Sequence, residues 1–176
     1  MDSFTTPQRK QLRLPDYNYT QPGAYYVTMV THFRKEIFGR VVNGKCQFTP
    51  FGKIVISVWE ELGQRFPYLL LDEWVLMPNH FHCILFYIET KDFSNASNVV
   101  SVKIKPLGQI IGMLKTISAK QINLLRGTPG ESVWQRNYYE RIIRNDKELD
   151  QFRAYIQTNP FRWEEDNEGI ENTPSE

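Results

Sequence analysis

The 176-residue sequence predicts an α+β fold, an antiparallel sheet backed by helices. Three observations carry that expectation. Short runs rich in β-branched and aromatic residues recur along the chain, helical apolar spacing fills gaps between them, and turn residues mark the junctions. In order the segments read β, hairpin, α, β, β, α, β, α. Without the hairpin and the last helix this is the split βαβ arrangement, an antiparallel sheet with two helices.

Residues 24–33 (AYYVTMVTHF) form the first β-rich run. His32 within it stands alone and reads as structural or surface. Asn43-Gly44 separates Val41-Val42 from Cys46-Gln47-Phe48, a strong hairpin signal, and the hairpin is expected to protrude from the sheet. Thr49-Pro50 opens an amphipathic helix to residue 66, with Ile54, Val55, Val58, Trp59 and Leu62 on one side and Pro67 ending it. Two apolar strands follow, joined through Met77-Pro78-Asn79-His80-Phe81-His82.

Residues 90–106 are polar and without clear period, a loop or insertion. Residues 107–126 form a second helix with Leu107, Ile110, Ile111, Leu114, Ile117 and Ile122 on one side, closed by Gly127-Thr128-Pro129-Gly130. Residues 132–144 read as a strand in which aromatics alternate with Arg136, Arg141 and Arg144. Asn145 or Asp146 then caps a helix to about residue 158, with Leu149, Phe152 and Ile156 as its apolar stripe. Tyr155 and Asn159 lie four apart, one above the other, and Pro160 sets them at the helix end.

With 41% hydrophobic and 14% aromatic residues the chain can bury a core, and one domain at residues 23–163 is expected. An extended arm at 1–22 precedes it and an acidic, disordered tail at 164–176 follows. Cys46 and Cys83 have no CxxC spacing, and no apolar run is long enough to span a bilayer, so a cytoplasmic location without membrane contact is expected. Net charge is +1, but six acids fall in the tail, leaving 21 bases against 14 acids in residues 1–163. A basic body suits a phosphate-bearing partner, though ordinary solvated charge explains it as well.

His80 and His82 are two of only three histidines. In a strand they share one face, with Phe81 and Cys83 turned to the other. Two imidazoles on one face make half of a metal site, yet hydrogen-bonded core histidines are the commoner reading of such a spacing. Both are expected at the exposed start of their strand. The 101–126 stretch carries Lys103, Lys105, Lys115, Lys120 and Arg126 with no acid, and residues 132–144 interleave aromatics with arginines, the chemistry of backbone attraction and base stacking. A solvated helix face and core aromatics are the bland alternatives.

MPNHFH after a strand, RGTPG followed by VWQRNYYERIIRN, and YIQTNP together resemble the single-tyrosine His-hydrophobe-His (HUH) transposases, specifically the REP-associated tyrosine transposases of bacteria. The resemblance covers roughly residues 14–163. It implies a ferredoxin-like antiparallel sheet with helices packed on one face, an added β-hairpin and a C-terminal catalytic helix. It places His80 and His82 on the metal-binding pair, Tyr155 on the nucleophile and Asn159 on a third metal ligand, where related insertion-sequence transposases use Gln.

Imidazoles alone would suggest Zn, Mn or Fe; the resemblance favours Mg²⁺ or Mn²⁺. It implies single-stranded or hairpin DNA as partner, a 5′-phosphotyrosine intermediate, and a monomer or homodimer. Lys115, Lys120, Arg136 and Arg144 are expected to contact phosphates, and Tyr138 or Tyr139 to stack on bases. Two other readings compete with the strand transferase. One is a domesticated DNA-binding or regulatory protein without turnover, against which the intact quartet of site residues argues. The other is a metal-dependent hydrolase, which would need Asp72, Glu73 or Glu140 as further ligands.

Overall fold

A computed structural model describes residues 18–89 and 103–171. Most of the expected arm at 1–22, and the 90–106 insertion as far as residue 102, therefore lie outside the described residues. In chain order the elements are β1 (Gly23–Val30), β2 (Gly39–Val42), β3 (Lys45–Phe48), α1 (Pro50–Arg65), β4 (Leu69–Leu76), β5 (His80–Tyr87), α2 (Leu107–Arg126), β6 (Tyr139–Ile143) and α3 (Asp146–Glu171). Four strands form one sheet in the order β4-β5-β1-β6, every neighbouring pair antiparallel, and β2 pairs with β3 in a separate ribbon. This is the expected ferredoxin-like sheet.

Strand alternation sorts the side chains onto two covered faces. Tyr25, Val27 and Met29 of β1 with Phe81, Cys83 and Leu85 of β5 pack beneath Val55, Val58, Trp59 and Leu62 of α1 and Leu107, Ile110, Ile111 and Leu114 of α2. Full burial of such a side chain contributes about 1.5–3 kcal/mol. On the other face Ala24, Tyr26, Ile84 and Ile143 meet Ile156, Leu149 and Phe152 of α3. The central strands are apolar on both sides because both sides are covered.

Local signals set the helix ends. Thr49 accepts the Gly52 N–H at 3.2 Å and donates to the Ile37 carbonyl at 2.7 Å, tying the start of α1 to the chain entering the hairpin. Gly127 closes α2 in the left-handed conformation, φ 69°. Asn145 caps α3 by accepting the Glu148 N–H at 2.9 Å.

Two expectations are corrected here. The strand expected over 132–144 is confined to Tyr139–Ile143, with a single bridge from Thr31 to Trp134 upstream. Asn137, at φ 65°, turns the intervening chain out of the sheet. The last helix does not stop near 158 but runs through Pro160 to Glu171, so the first part of the expected tail is helical. Pro160 has no N–H for the Ile156 carbonyl, and tertiary contacts offset that loss. Phe161 packs on Gly44, and the Glu164 carboxylate accepts the Gly44 N–H. The β2–β3 hairpin thus clasps α3 instead of merely protruding.

Asn43 and Gly44 at the hairpin tip have φ 52° and 66°. A Cβ at residue 44 would run into the Phe161 ring. Gly44→Ala is expected to destabilise by roughly 2–4 kcal/mol, combining left-handed backbone strain with overpacking. Thermal melts check this, and an unchanged melting temperature would mean that the clasp carries no stability.

Candidate active site

His80 opens β5 directly after the tight turn in which the Met77 N–H bonds the His80 carbonyl at 2.8 Å. Alternation turns His80 and His82 to the α3 face, where their rings lie 4.6 Å apart between centroids. His82 is not at an exposed strand start as expected but only 5% exposed. The reason is α3, whose Tyr155 ring lies edge-on to His82 at 5.3 Å and whose Phe152 stacks on Tyr26 at 4.4 Å. Asn159, one helical turn beyond Tyr155, is 7% exposed and acts on the His80 imidazole. Trp163, a further turn on, comes to 5.6 Å of the His80 ring. Tyr155 keeps 37% of its surface open.

The β-bulge in β4 sets the helix in place. Pairing with β5 shifts between Leu71 and Trp74, and the two acids in the shifted stretch reach α3. Asp72 accepts from Arg153 at 2.8 Å and Glu73 from Gln157 at 3.2 Å, two residues either side of Tyr155. Both acids are thus engaged as anchors for the helix.

Each histidine has a partner at Nδ1. Asn79 Oδ1, an acceptor, lies 2.7 Å from His80 Nδ1, which selects the Nδ1–H tautomer and leaves Nε2 with its lone pair. His82 Nδ1 lies 2.7 Å from Tyr26 Oη and 2.8 Å from Thr28 Oγ1. Burial holds the His80 imidazole down at about 4, with Arg34 adding to the shift and Asn159 opposing it. Burial and the neighbouring His80 hold His82 at about 3. Neutral imidazoles oriented through the second nitrogen are what metal ligation requires. Among the described residues no three His, Cys, Asp or Glu side chains group as a metal site, so a cation here would rest on His80, His82 and the Asn159 amide oxygen.

These shifts give a pH dependence. Unfolded imidazoles protonate near 6.5, whereas the folded ones resist until about 4 and 3, so the unfolded chain takes up protons first as pH falls. Metal-free protein is expected to hold its stability above pH 6.5 and lose it progressively as pH falls toward 4. Melts in EDTA across that window test this; a flat profile would contradict neutral buried histidines.

Three arginines surround the cluster. Arg34 sits in the turn after β1, where Phe33 and Arg34 have φ 55° and 54°. That turn is tied to the histidine strand, because the Thr31 N–H and hydroxyl donate to the Asn79 carbonyl at 2.9 and 3.0 Å. The Arg162 guanidinium lies 5.6 Å from the Tyr155 ring and that of Arg141 5.8 Å from Phe152. Arg141, Tyr26, Phe152 and Tyr155 line an open cleft of about 340 Å³.

The remaining expected DNA contacts divide. Tyr139 and Arg136 line a cavity with Thr28, on the histidine side of the sheet. Tyr138 packs partly against the α1–α2 core, and Arg144 is exposed just past β6. Lys120 is exposed on α2, across the sheet from the histidines. Lys115 does not extend freely into solvent: its half-buried ammonium donates to the carbonyls of Gln135 and Asn137 at 2.5 and 2.6 Å, which holds it against the protein's own backbone. Sequence reasoning passed over Tyr26, Thr28, Arg34, Asn79, Phe152 and Arg141 as site residues. Only Asn79, beside His80, and Arg141, two residues along a strand from Tyr139, carried a signal.

The four-stranded antiparallel sheet, the added hairpin and the long last helix form a transposase-like fold. No family model matches the chain. An uncharacterized protein of Haemophilus influenzae is 35% identical over 164 residues, covering 90% of this chain and 91% of that protein. A second protein of the same organism, named "Putative REP-associated tyrosine transposase", is 25% identical over 146 residues, 82% of this chain and 74% of that one. A solved structure of a REP-associated tyrosine transposase bound to a REP hairpin shares the fold, with TM-score 0.58 and 19% identity over 85% of this chain and 73% of that chain. The chain is thus similar in sequence to a protein named as a REP-associated tyrosine transposase and shares its fold with a solved one. Among the described residues no helix is long and apolar enough to cross a membrane.

Proposed function

We propose that the protein nicks and rejoins single-stranded or hairpin DNA through Tyr155. The observation that carries this reading is convergence: Tyr155 from α3 meets His82 from β5 at 5.3 Å between rings, with His80 and Asn159 alongside. The Tyr155 Oη would attack the phosphorus, forming the Oη–P bond as the P–O3′ bond breaks. The phosphate then stays on Tyr155 as a 5′-phosphotyrosine, and the other strand leaves with a free 3′-OH. Attack by a 3′-OH on that linkage reverses the reaction, so the covalent bond conserves the energy and no ATP is needed.

His80, His82 and Asn159 would hold Mg²⁺ or Mn²⁺. Such an ion, when bound, supplies stabilisation of the charge that develops on phosphate oxygens during transfer. Asn79, Tyr26 and Thr28 orient the two imidazoles for that role. Arg34, Arg141 and Arg162 attract the DNA backbone to the open side of Tyr155. The REP hairpin held by the structural neighbour supports hairpin DNA as the substrate class.

The test is incubation with a tailed DNA hairpin and Mn²⁺, followed by denaturation and peptide mapping. A covalent protein–DNA adduct on Tyr155, lost in EDTA, is expected. An adduct on Tyr138 or Tyr139 would overturn the assignment, and tight binding with no adduct would leave a DNA-binding protein without turnover.

A further inference from the structure

The β2–β3 hairpin touches both elements that supply the candidate ligands. At its root the Phe38 N–H donates to the Pro78 carbonyl at 3.0 Å, two residues before His80, and the Phe38 carbonyl accepts the Thr49 N–H at 2.9 Å. The Cys46 thiol of β3 lies 3.9 Å from the Met77 thioether in the same turn. At its tip, Gly44 carries the Phe161 ring of α3 and gives its N–H to the Glu164 carboxylate. One two-stranded ribbon therefore joins the turn ahead of His80 to the helix segment just past Asn159.

That segment has weak internal support. Pro160 has no N–H for the Ile156 carbonyl, and its ring crowds that carbonyl. The proline also pushes Asn159, the residue before it, away from helical angles. Thr158 adds a third weakness, its hydroxyl donating back to the Ala154 carbonyl at 2.8 Å, a bond that bends helices. Yet α3 continues to Glu171, with Asn159 buried and the Trp163 ring 5.6 Å from that of His80. Upstream the helix is held separately, Arg153 by Asp72 at 2.8 Å and Gln157 by Glu73 at 3.2 Å. Those anchors flank Tyr155 and end before Pro160; beyond it the hairpin tip takes hold.

We propose that the hairpin is a positioning element: by gripping α3 past Pro160 it keeps Asn159 against His80, and so sets the third ligand of the cation in the proposed function. The inference rests on that reading and deepens it. Gly44, Phe161 and Glu164 are positioning residues that act through Asn159 and not on the ion or on DNA. When the clasp opens, the helix loosens from Pro160 onward and Asn159 withdraws from His80, while Tyr155 stays on its own anchors.

The experiment uses the full chain in four forms: wild type, a clasp variant combining Phe161→Ala with Glu164→Ala, Asn159→Ala, and all three substitutions together. Hydrogen exchange in EDTA, read by mass spectrometry, should show protection of residues 161–165 falling by about 10-fold or more in the clasp variant. Residues 149–156 should match the wild type. Mn²⁺ affinity, read from the paramagnetic resonance of the free ion, should fall about 10- to 100-fold in the clasp variant. Asn159→Ala should lose as much, and the triple variant no more than either, the non-additivity that one shared role produces. Glu164→Gln keeps an acceptor for the Gly44 N–H and should stay within about 3-fold of the wild type.

Protection at 161–165 that is unchanged in the clasp variant, or lost equally along all of α3, would overturn the positioning role. So would Mn²⁺ affinity that survives the loosening, or a loss that adds to that of Asn159→Ala. If the wild type itself binds no Mn²⁺, the cation in the proposed function fails and the ligand role falls with it, while exchange still decides whether the hairpin holds the turn that carries Asn159. Melting curves in EDTA confirm that each variant is folded.

Discussion

Tyr155→Phe is expected to abolish cleavage of a tailed hairpin, by roughly 10⁴-fold or more, and to leave no covalent adduct. DNA affinity should persist. The substitution removes one oxygen from a side chain that is 37% exposed, and the ring still presents its edge to His82 at 5.3 Å. The residues that seat α3 on the sheet, Phe152 and Ile156, are untouched, so the melting temperature should move little. Single-turnover cleavage assays with parallel anisotropy measurements separate the two effects. Residual nicking at the wild-type rate would remove Tyr155 from the chemistry and leave Tyr138 or Tyr139 as candidates.

The helix that carries this residue shows what sequence could and could not disclose. Its start was legible, because Asn145 has the side chain that caps a helix and Glu148 is placed to be capped. Its end was not. Pro160 is a local signal against helix, and what overrides it is a hairpin tip more than a hundred residues upstream, through Phe161 on Gly44 and Glu164 on the Gly44 N–H. The hairpin itself was legible from Asn43-Gly44, whose positive φ values the turn demands. That it clasps α3 lies in the tertiary packing alone.

The same division holds in the site. Strand alternation put His80 and His82 on one face, and helical spacing put Tyr155 above Asn159; both follow from local periodicity. Which face α3 covers decides that the pairs meet, and no periodicity reports it. Lys115 makes the point most sharply. A cation on the open side of a basic helix reads as a phosphate contact, and no periodicity tells that two backbone carbonyls from a loop twenty residues on hold its ammonium. Likewise Asp72 and Glu73 looked like spare metal ligands and are instead anchors for Arg153 and Gln157.

His82→Ala should cost both function and stability, and the second cost distinguishes it from His80→Ala. His82 is 5% exposed, and its Nδ1 is shared by the hydroxyls of Tyr26 and Thr28. Truncation strands those hydroxyls beneath α3 and opens a void against Tyr155, a loss of roughly 2–4 kcal/mol. For a domain of this size that is about 5–15 °C in melting temperature. His80 is more open, and its Nδ1 partner, Asn79, keeps its backbone carbonyl bonded to Thr31. The His80 variant should therefore melt closer to the wild type.

Metal binding is read separately. Mn²⁺ at about a hundredfold over its Kd stabilises a protein that binds it only when folded by about 2.7 kcal/mol. That increment should appear in the wild type, vanish in both histidine variants, and be matched by loss of Mn²⁺-dependent cleavage of at least about 100-fold in each. If Mn²⁺ left the wild-type melting temperature unmoved, the histidines would be hydrogen-bonded core residues, and the chemistry at Tyr155 would have to proceed on the surrounding arginines alone.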